Sequence, residues 1–270
     1  DQFIDREMPP PVVGDWAEKH AAETGYPLDV NSWRGRIPDH LNQRARAAYF
    51  AYLAFLDAQI GRLLERMMRN GLLANTLTLF TSDHGEMLGD HNLWRKTYAY
   101  EPSARVPFIV KPAASMQADH NVEIPQTVGW EDVMPTFLET AGVPIPDEVE
   151  GRSVLPLLRG ETDPWRPFYH GEHSPCYHPE NANQFLSDGH WKYIWNPING
   201  EEQLFHLEED PQECRDLAGD TDAIDVLEEW RARMVEELKD REEGLSDGEK
   251  LIPGKVPVWR GMDPDDVHLG

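Results

Sequence analysis

The chain has 270 residues and 30.9 kDa, room for one large domain or a domain with a small appendage. Its 40% hydrophobic and 10% aromatic content is enough for a sizeable core, which excludes wholesale disorder, and no run approaches the ~18 apolar residues of a membrane span. A formal charge of −24 argues against a sequence-independent nucleic-acid binder, which needs Lys and Arg to displace counterions from phosphates.

Residues 1–41 are rich in Pro and Gly and read as a long surface loop with one helical turn near Trp16–Glu23. Tyr49, Leu53, Leu56, Ile60, Leu63 and Met67 fall at helical spacing and predict a helix over Asn42–Asn70, stopped by Asn70-Gly71. The aromatic cluster Tyr49, Phe50, Tyr52 and Phe55 on it reads as core packing. Thr76–Thr81 is β-branched and aromatic and predicts a buried strand; Val106–Val110 predicts a second. A helix follows over Glu131–Ala141, with Gly142 as its stop. This order predicts an α/β fold with a mostly parallel sheet flanked by helices over residues 1–166.

From Pro167 the texture changes. Short runs at Phe185–Ser187, Lys192–Trp195 and Gln203–Leu207 are separated by Asp188-Gly189 and Asn199-Gly200, strong hairpin dipeptides. They predict a small antiparallel sheet, completed by an amphipathic helix over Asp222–Arg241 packing through Ile224, Leu227, Trp230, Met234 and Leu238. Sheet and helix together make a subdomain over 167–250. The tail, 251–270, has no core of its own and would wrap its own domain or a neighbouring subunit. Residues 201–270 hold 22 Asp and Glu against 8 Lys and Arg, a solvated-surface pattern. The two cysteines, Cys176 and Cys214, form no CxxC pair. The chain opens Asp1-Gln2-Phe3, without Met or a signal-peptide h-region, and reads as the interior of a longer protein, so the compartment stays open.

The stretch that carries chemistry is Thr81-Ser82-Asp83-His84-Gly85-Glu86, running through Gly89-Asp90-His91 to Trp94-Arg95-Lys96. Asp83 and His84 sit where a strand ends, the edge of an α/β sheet at which ligands bind. A carboxylate and an imidazole there suit a divalent cation, and Lys96 places a point charge against an anionic substrate. The same pair also fits a capping Asp beside a hydrogen-bonded His. Asp90 and His91 read as hydrogen-bonding partners of the loop, Arg105 as a buried ion-pair partner, and Arg95 as either a substrate contact or plain surface. His170-Gly171-Glu172-His173, with Cys176 and His178, has the look of a zinc cluster but lacks the usual CxxC; pocket wall or loop packing are the competing readings.

These residues resemble the C-terminal metal motif of the type I sulfatases of the alkaline phosphatase superfamily. Glu101-x-Ser103-x-Arg105-Val106-Pro107, Asp132-x-x-Pro135-Thr136, Gly151-Arg152-Ser153-x-Leu155-Pro156, Trp191-Lys192-Tyr193-Ile194 and Glu202-Gln203-Leu204-Phe205-x-Leu207-x-x-Asp210-Pro211 extend the match in order, from about Ala45 to Ala218. The resemblance implies an alkaline-phosphatase-like α/β fold and a sulfuric ester hydrolase. Asp83 and His84 would be two ligands of its cation, Lys96 would bind the sulfate and stabilise the leaving group, and His170, Glu172 and His173 would approach the substrate. Family experience favours calcium, with manganese or zinc left open by the imidazole donor. The family's nucleophile is a formylglycine made in a Cys/Ser-x-Pro-x-Arg motif, and neither Cys176 nor Cys214 lies in one. The chain therefore reads as the C-terminal half, inactive by itself, its partner being the N-terminal half of the same protein and its substrate a sulfate ester, small molecule or saccharide. A phosphonate monoester or phosphodiester hydrolase, and a non-catalytic binding fragment, are the alternatives. Relatives of the phosphonate type often use a C-terminal tail to form homo-oligomers.

Overall fold

The computed structural model describes residues 3, 6–21, 32–118, 121–161, 164–174 and 181–254. In chain order its elements are β1 (Ser32–Arg34), α1 (Asp39–Arg69), β2 (Thr78–Thr81), β3 (Leu93–Arg95), α2 (Glu101–Ala104), β4 (Phe108–Lys111), α3 (Val133–Thr140), α4 (Leu155–Leu158), β5 (Tyr169–His173), β6 (Asn183–Ser187), β7 (Trp191–Trp195), β8 (Glu202–His206) and α5 (Ile224–Leu238). Two compact units divide the chain. Unit 1 holds residues 1–10, 37–83 and 106–166; unit 2 holds 11–36, 84–105 and 167–270. Cys176, His178 and residues 255–270 of the tail lie outside the described residues.

In unit 1, α1 follows the predicted period and stops at Gly71, whose φ of 71° suits a residue without Cβ. Its burial corrects the sequence reading. The helix buries Asn42, Arg46 and Ala47 near its start, whereas Tyr52 and Phe55, expected in the core, are each 62% exposed, and Leu56 and Leu63 are exposed as well. At 100° per residue Tyr52, Phe55, Leu56 and Leu63 share one apolar stripe. Periodicity finds such a stripe but says nothing of what covers it.

Strands β2 and β4 pair antiparallel, Thr78 opposite Lys111 through Thr81 opposite Phe108. Every strand pairing among the described residues is antiparallel, so the mostly parallel sheet is not shown there. The link from β2 to β4, residues 82–107, holds β3 and the four-residue α2 but no helix long enough for the crossover that parallel pairing needs. Leu77, Leu155 and Leu158 form the buried cluster of this unit, with Leu79 and Val110 of the two strands against it. A fully buried carboxylate fixes its loops: Asp132 accepts two hydrogen bonds from Arg166, at 2.6 and 2.8 Å, and one each from the Gly129 and Arg152 amides. Four donors around one carboxylate repay the cost of burying its charge.

Unit 2 is built on a four-stranded antiparallel sheet in the order β5-β6-β7-β8. The two hairpins turn at Asp188-Gly189 and Asn199-Gly200, with glycine φ values of 92° and 79°. Alternation along the strands divides the sheet into two faces. Leu186, Tyr193, Trp195 and Leu204 pack against Leu227, Trp230, Met234 and Leu238 of α5, while Ile194 and Phe205 meet Ala99, Trp16 and Tyr100 on the other side. Of the residues expected to pack on α5, Ile224 alone is exposed, because it begins the helix. β1 pairs with β3, a three-residue ladder that the Pro- and Gly-rich opening segment did not signal.

Candidate functional site

The functional run leaves β2 through Ser82 and Asp83, the last residues of this stretch of unit 1, and continues in unit 2 from His84. The Ser82 carbonyl accepts a 2.7 Å hydrogen bond from the Trp130 indole, which holds the strand end within unit 1, and the Asp83 side chain is exposed there.

In unit 2, His84 Nδ1 lies 2.7 Å from the Gly85 carbonyl oxygen. A carbonyl only accepts, so Nδ1 carries a proton; the neutral ring then has its lone pair on Nε2, the arrangement that metal-ligating imidazoles adopt when the other nitrogen donates to the backbone. The glycine at 85 is a steric necessity. Its amide donates to the Ser103 carbonyl at 2.8 Å, the Glu86 amide donates to the Pro102 carbonyl at 2.8 Å, and a Cβ at 85 would stand 2.0 Å from the Pro102 oxygen.

Beyond it the chain forms a tight excursion. Met87, fully buried, donates its amide to the Arg95 carbonyl at 2.9 Å, and Gly89 does so to Leu93 at 2.9 Å. Asp90 accepts from the Val12 amide at 3.0 Å, and His91 Nδ1 accepts from the Gly14 amide at 3.2 Å, the loop-bonding roles expected of both. Lys96 is half-buried and makes no ion pair among the described residues. Arg95 is exposed. Arg105 does pair with Glu101, at 3.2 Å, but its side chain is 77% exposed rather than buried, because it lies past the end of α2 with its stem in solvent.

Burial holds His91 neutral, with its pKa lowered to about 4, against a pull upward from the Gln212 backbone and Asp210. His20 is lowered to about 4 as well, by burial first and then by Arg34. The unfolded chain, titrating near 6.5, binds the proton that folded His91 refuses, so this stability is present above pH 6.5 and is lost as pH falls toward 4. Between pH 7 and pH 5 the His91 contribution is expected to fall by about 2 kcal/mol. A urea-midpoint series over that range should show it, and His91→Gln should flatten the slope.

His170, Glu172 and His173 lie on β5. His170 Nε2 meets Gln184 Oε1 at 2.7 Å and its Nδ1 faces Glu237 of α5 at 3.5 Å, which lowers the pKa of that carboxyl. Glu172 accepts from Gln184 at 3.0 Å and pairs with Arg241 at 2.8 Å. His170 thus ties the sheet to α5, and Glu172 ties it to Arg241 just past the helix end. Gly171 between them lies under the Phe185 ring of the paired strand, which occupies the place of a Cβ. No group of three or more His, Cys, Asp or Glu with metal-holding geometry occurs among the described residues. Asp83 of unit 1 carries carboxylate oxygens and His84 of unit 2 a ring nitrogen, each a donor type that suits a divalent cation but together fewer than the six to eight ligands calcium takes.

Sequence reasoning missed a buried ionic cluster. Lys192, on the face of β7 opposite α5, donates to Glu101 at 2.7 Å, Glu213 at 2.8 Å and the Ala99 carbonyl at 2.9 Å. Burial opposes its charge, but Glu213 and Glu101 outweigh that and hold its pKa above the usual lysine value. Burial raises the Glu213 carboxyl, and Lys192 offsets it in part.

Comparison with known proteins agrees with the resemblance. The family profile described as N-sulphoglucosamine sulphohydrolase, C-terminal, matches residues 89–241, and the profile described as Sulfatase matches 9–143. An arylsulfatase of Clostridium perfringens is 39% identical over 94% of this chain and 52% of its own length. Among solved structures, a phosphonate monoester hydrolase from Silicibacter pomeroyi superposes with a TM-score of 0.71 at 26% identity, covering 88% of this chain and 52% of that one. A structure in complex with its substrate D-glucosamine-2-N,6-O-disulfate gives 0.65 at 25% identity, covering 77% and 43%. The chain spans about half the length of the curated relative. No described helix is long and apolar enough to cross a membrane.

Proposed function

Because this chain belongs to the sulfatase family, with an alkaline-phosphatase-like α/β fold, we propose that it is the C-terminal half of a metal-dependent sulfuric ester hydrolase. The observation that carries the proposal is the run from Asp83 to Lys96, with the His84 proton on Nδ1 and its lone pair on Nε2. Asp83 and His84 would hold a divalent cation, calcium first and manganese or zinc by virtue of the imidazole; when bound, that ion supplies electrophilic polarisation of the ester. Lys96 would set its ammonium against the sulfate oxygens, where charge builds in the transition state, and so steady the leaving group. His170, Glu172 and His173 would form part of the substrate wall. The engaged state of His170 and Glu172 supports a role through their neighbours, and a sulfated saccharide or small aryl ester is the substrate class.

The nucleophile would come from an N-terminal half of the same protein, which would also complete a mostly parallel sheet. The exposed stripe of α1 supports a further polypeptide packed on unit 1. A second reading, phosphonate monoester hydrolysis, draws on the Silicibacter pomeroyi neighbour. The protein carrying both halves is expected to turn over 4-nitrophenyl sulfate faster than the monoester 4-nitrophenyl phenylphosphonate, and the 270-residue chain to turn over neither. Faster phosphonate turnover would favour the second reading, and turnover by the chain alone would refute the division of labour.

A further inference from the structure

Lys96 stands between two residues in the left-handed region. Arg95 has φ 69° and Thr97 has φ 86°. For a β-branched residue such a conformation is a genuine outlier, because Cβ crowds the backbone, and it persists only where the surroundings over-determine it. Thr97 bears a second cost: its hydroxyl is buried and has no hydrogen-bond partner among the described residues.

Besides the Met87 amide, which donates to the Arg95 carbonyl, and the β1 pairing, side chains of unit 2 hold this geometry. On the near side, Glu86 Oε1 accepts from the Arg95 amide at 2.5 Å and from the Leu88 amide at 3.3 Å. On the far side, Asn183 of β6 donates to the Thr97 carbonyl at 3.0 Å, and Lys192 of β7 donates to the Ala99 carbonyl at 2.9 Å. Glu213 then accepts from the Glu101 amide at 2.6 Å. Two residues of the strained segment and two beyond it are thus gripped through their backbones, while the Lys96 side chain itself is left out of every ion pair among the described residues. An ordinary loop that needed only to connect β3 to α2 would relax.

We propose that Glu86, Asn183 and Lys192 are positioning residues that clamp the strained backbone on either side of Lys96 and so fix where its ammonium points. The proposal rests on the sulfatase reading for what Lys96 meets, though not for the clamp.

Four variants, two at position 86 and two at position 97, test it in the protein that carries both halves. Glu86→Ala removes the near grip; Glu86→Gln keeps an amide oxygen that still accepts from the Arg95 amide. Amide hydrogen exchange over residues 95–99 is expected to quicken at least tenfold in Glu86→Ala and to stay near the unsubstituted rate in Glu86→Gln. Turnover of 4-nitrophenyl sulfate should follow the same order, with kcat lowered about tenfold in Glu86→Ala and largely restored in Glu86→Gln. At position 97, Gly should melt above Ala, the reverse of the ordinary order, because only Gly takes φ 86° without strain.

Unchanged exchange in Glu86→Ala, or Ala above Gly at 97, would overturn the clamp. Quickened exchange with full turnover would overturn the positioning role. If the unsubstituted protein turned over no sulfate ester, the sulfatase reading would fall, and the exchange rates and melting order would still decide the clamp.

Discussion

Replacing Lys192 by Met is expected to cost about 3–5 kcal/mol of folding stability, read as a drop in urea midpoint at unchanged m-value. The side chain of Lys192 is 1% exposed and that of Glu213 is not exposed at all. The ammonium supplies hydrogen bonds to two carboxylates and a carbonyl, and without it Glu213 stays buried with no countercharge. The cost is the desolvation of a stranded charge, which exceeds the net worth of the original pairs. A companion variant separates these. Lys192→Met with Glu213→Leu and Glu101→Gln removes the charges along with their partner and should recover most of the loss. A single-variant cost under about 1 kcal/mol would mean that water reaches the cluster.

Replacing Lys96 by Ala should leave stability nearly untouched, because the side chain is half-buried and unpaired among the described residues. In the protein carrying both halves, kcat/KM for a sulfate ester should fall by about 10²–10³-fold, the usual worth of one group aimed at developing charge. Lys96→Arg should recover only part of this, since a planar fork does not replace a compact point charge. The pair of results is diagnostic. Loss of turnover without loss of stability assigns Lys96 to the reaction; loss of both assigns it to the fold.

Much of the framework is written locally and was readable. Asp188-Gly189 and Asn199-Gly200 specify their hairpins through residues that accept positive φ, and α1 declares itself by period. Pairings between distant segments were not readable. β1 is three residues long, and its partner β3 lies some sixty residues on, so neither its length nor its composition signals it. Lys192 was legible as the start of a strand, Lys192–Trp195, but a lysine among aromatics does not reveal that two glutamates from elsewhere meet it. At the site, the ordered motif singles out Asp83, His84 and Lys96 as candidates. The bends at Arg95 and Thr97 had no signal at all, because the sequence places ordinary side chains where the backbone needs an unusual conformation.

Without the further polypeptide proposed to cover it, the apolar stripe on α1 would set how copies of this chain meet one another. Each such copy carries a formal charge of −24, and at low ionic strength that repulsion would keep Tyr52, Phe55, Leu56 and Leu63 of one copy away from those of another. Salt shortens the reach of the repulsion to about 8 Å at physiological strength, while leaving the attraction between apolar side chains in place. The balance between dispersed and associated chains is therefore a function of ionic strength, with the acidic surface acting as a colloidal stabiliser that salt switches off.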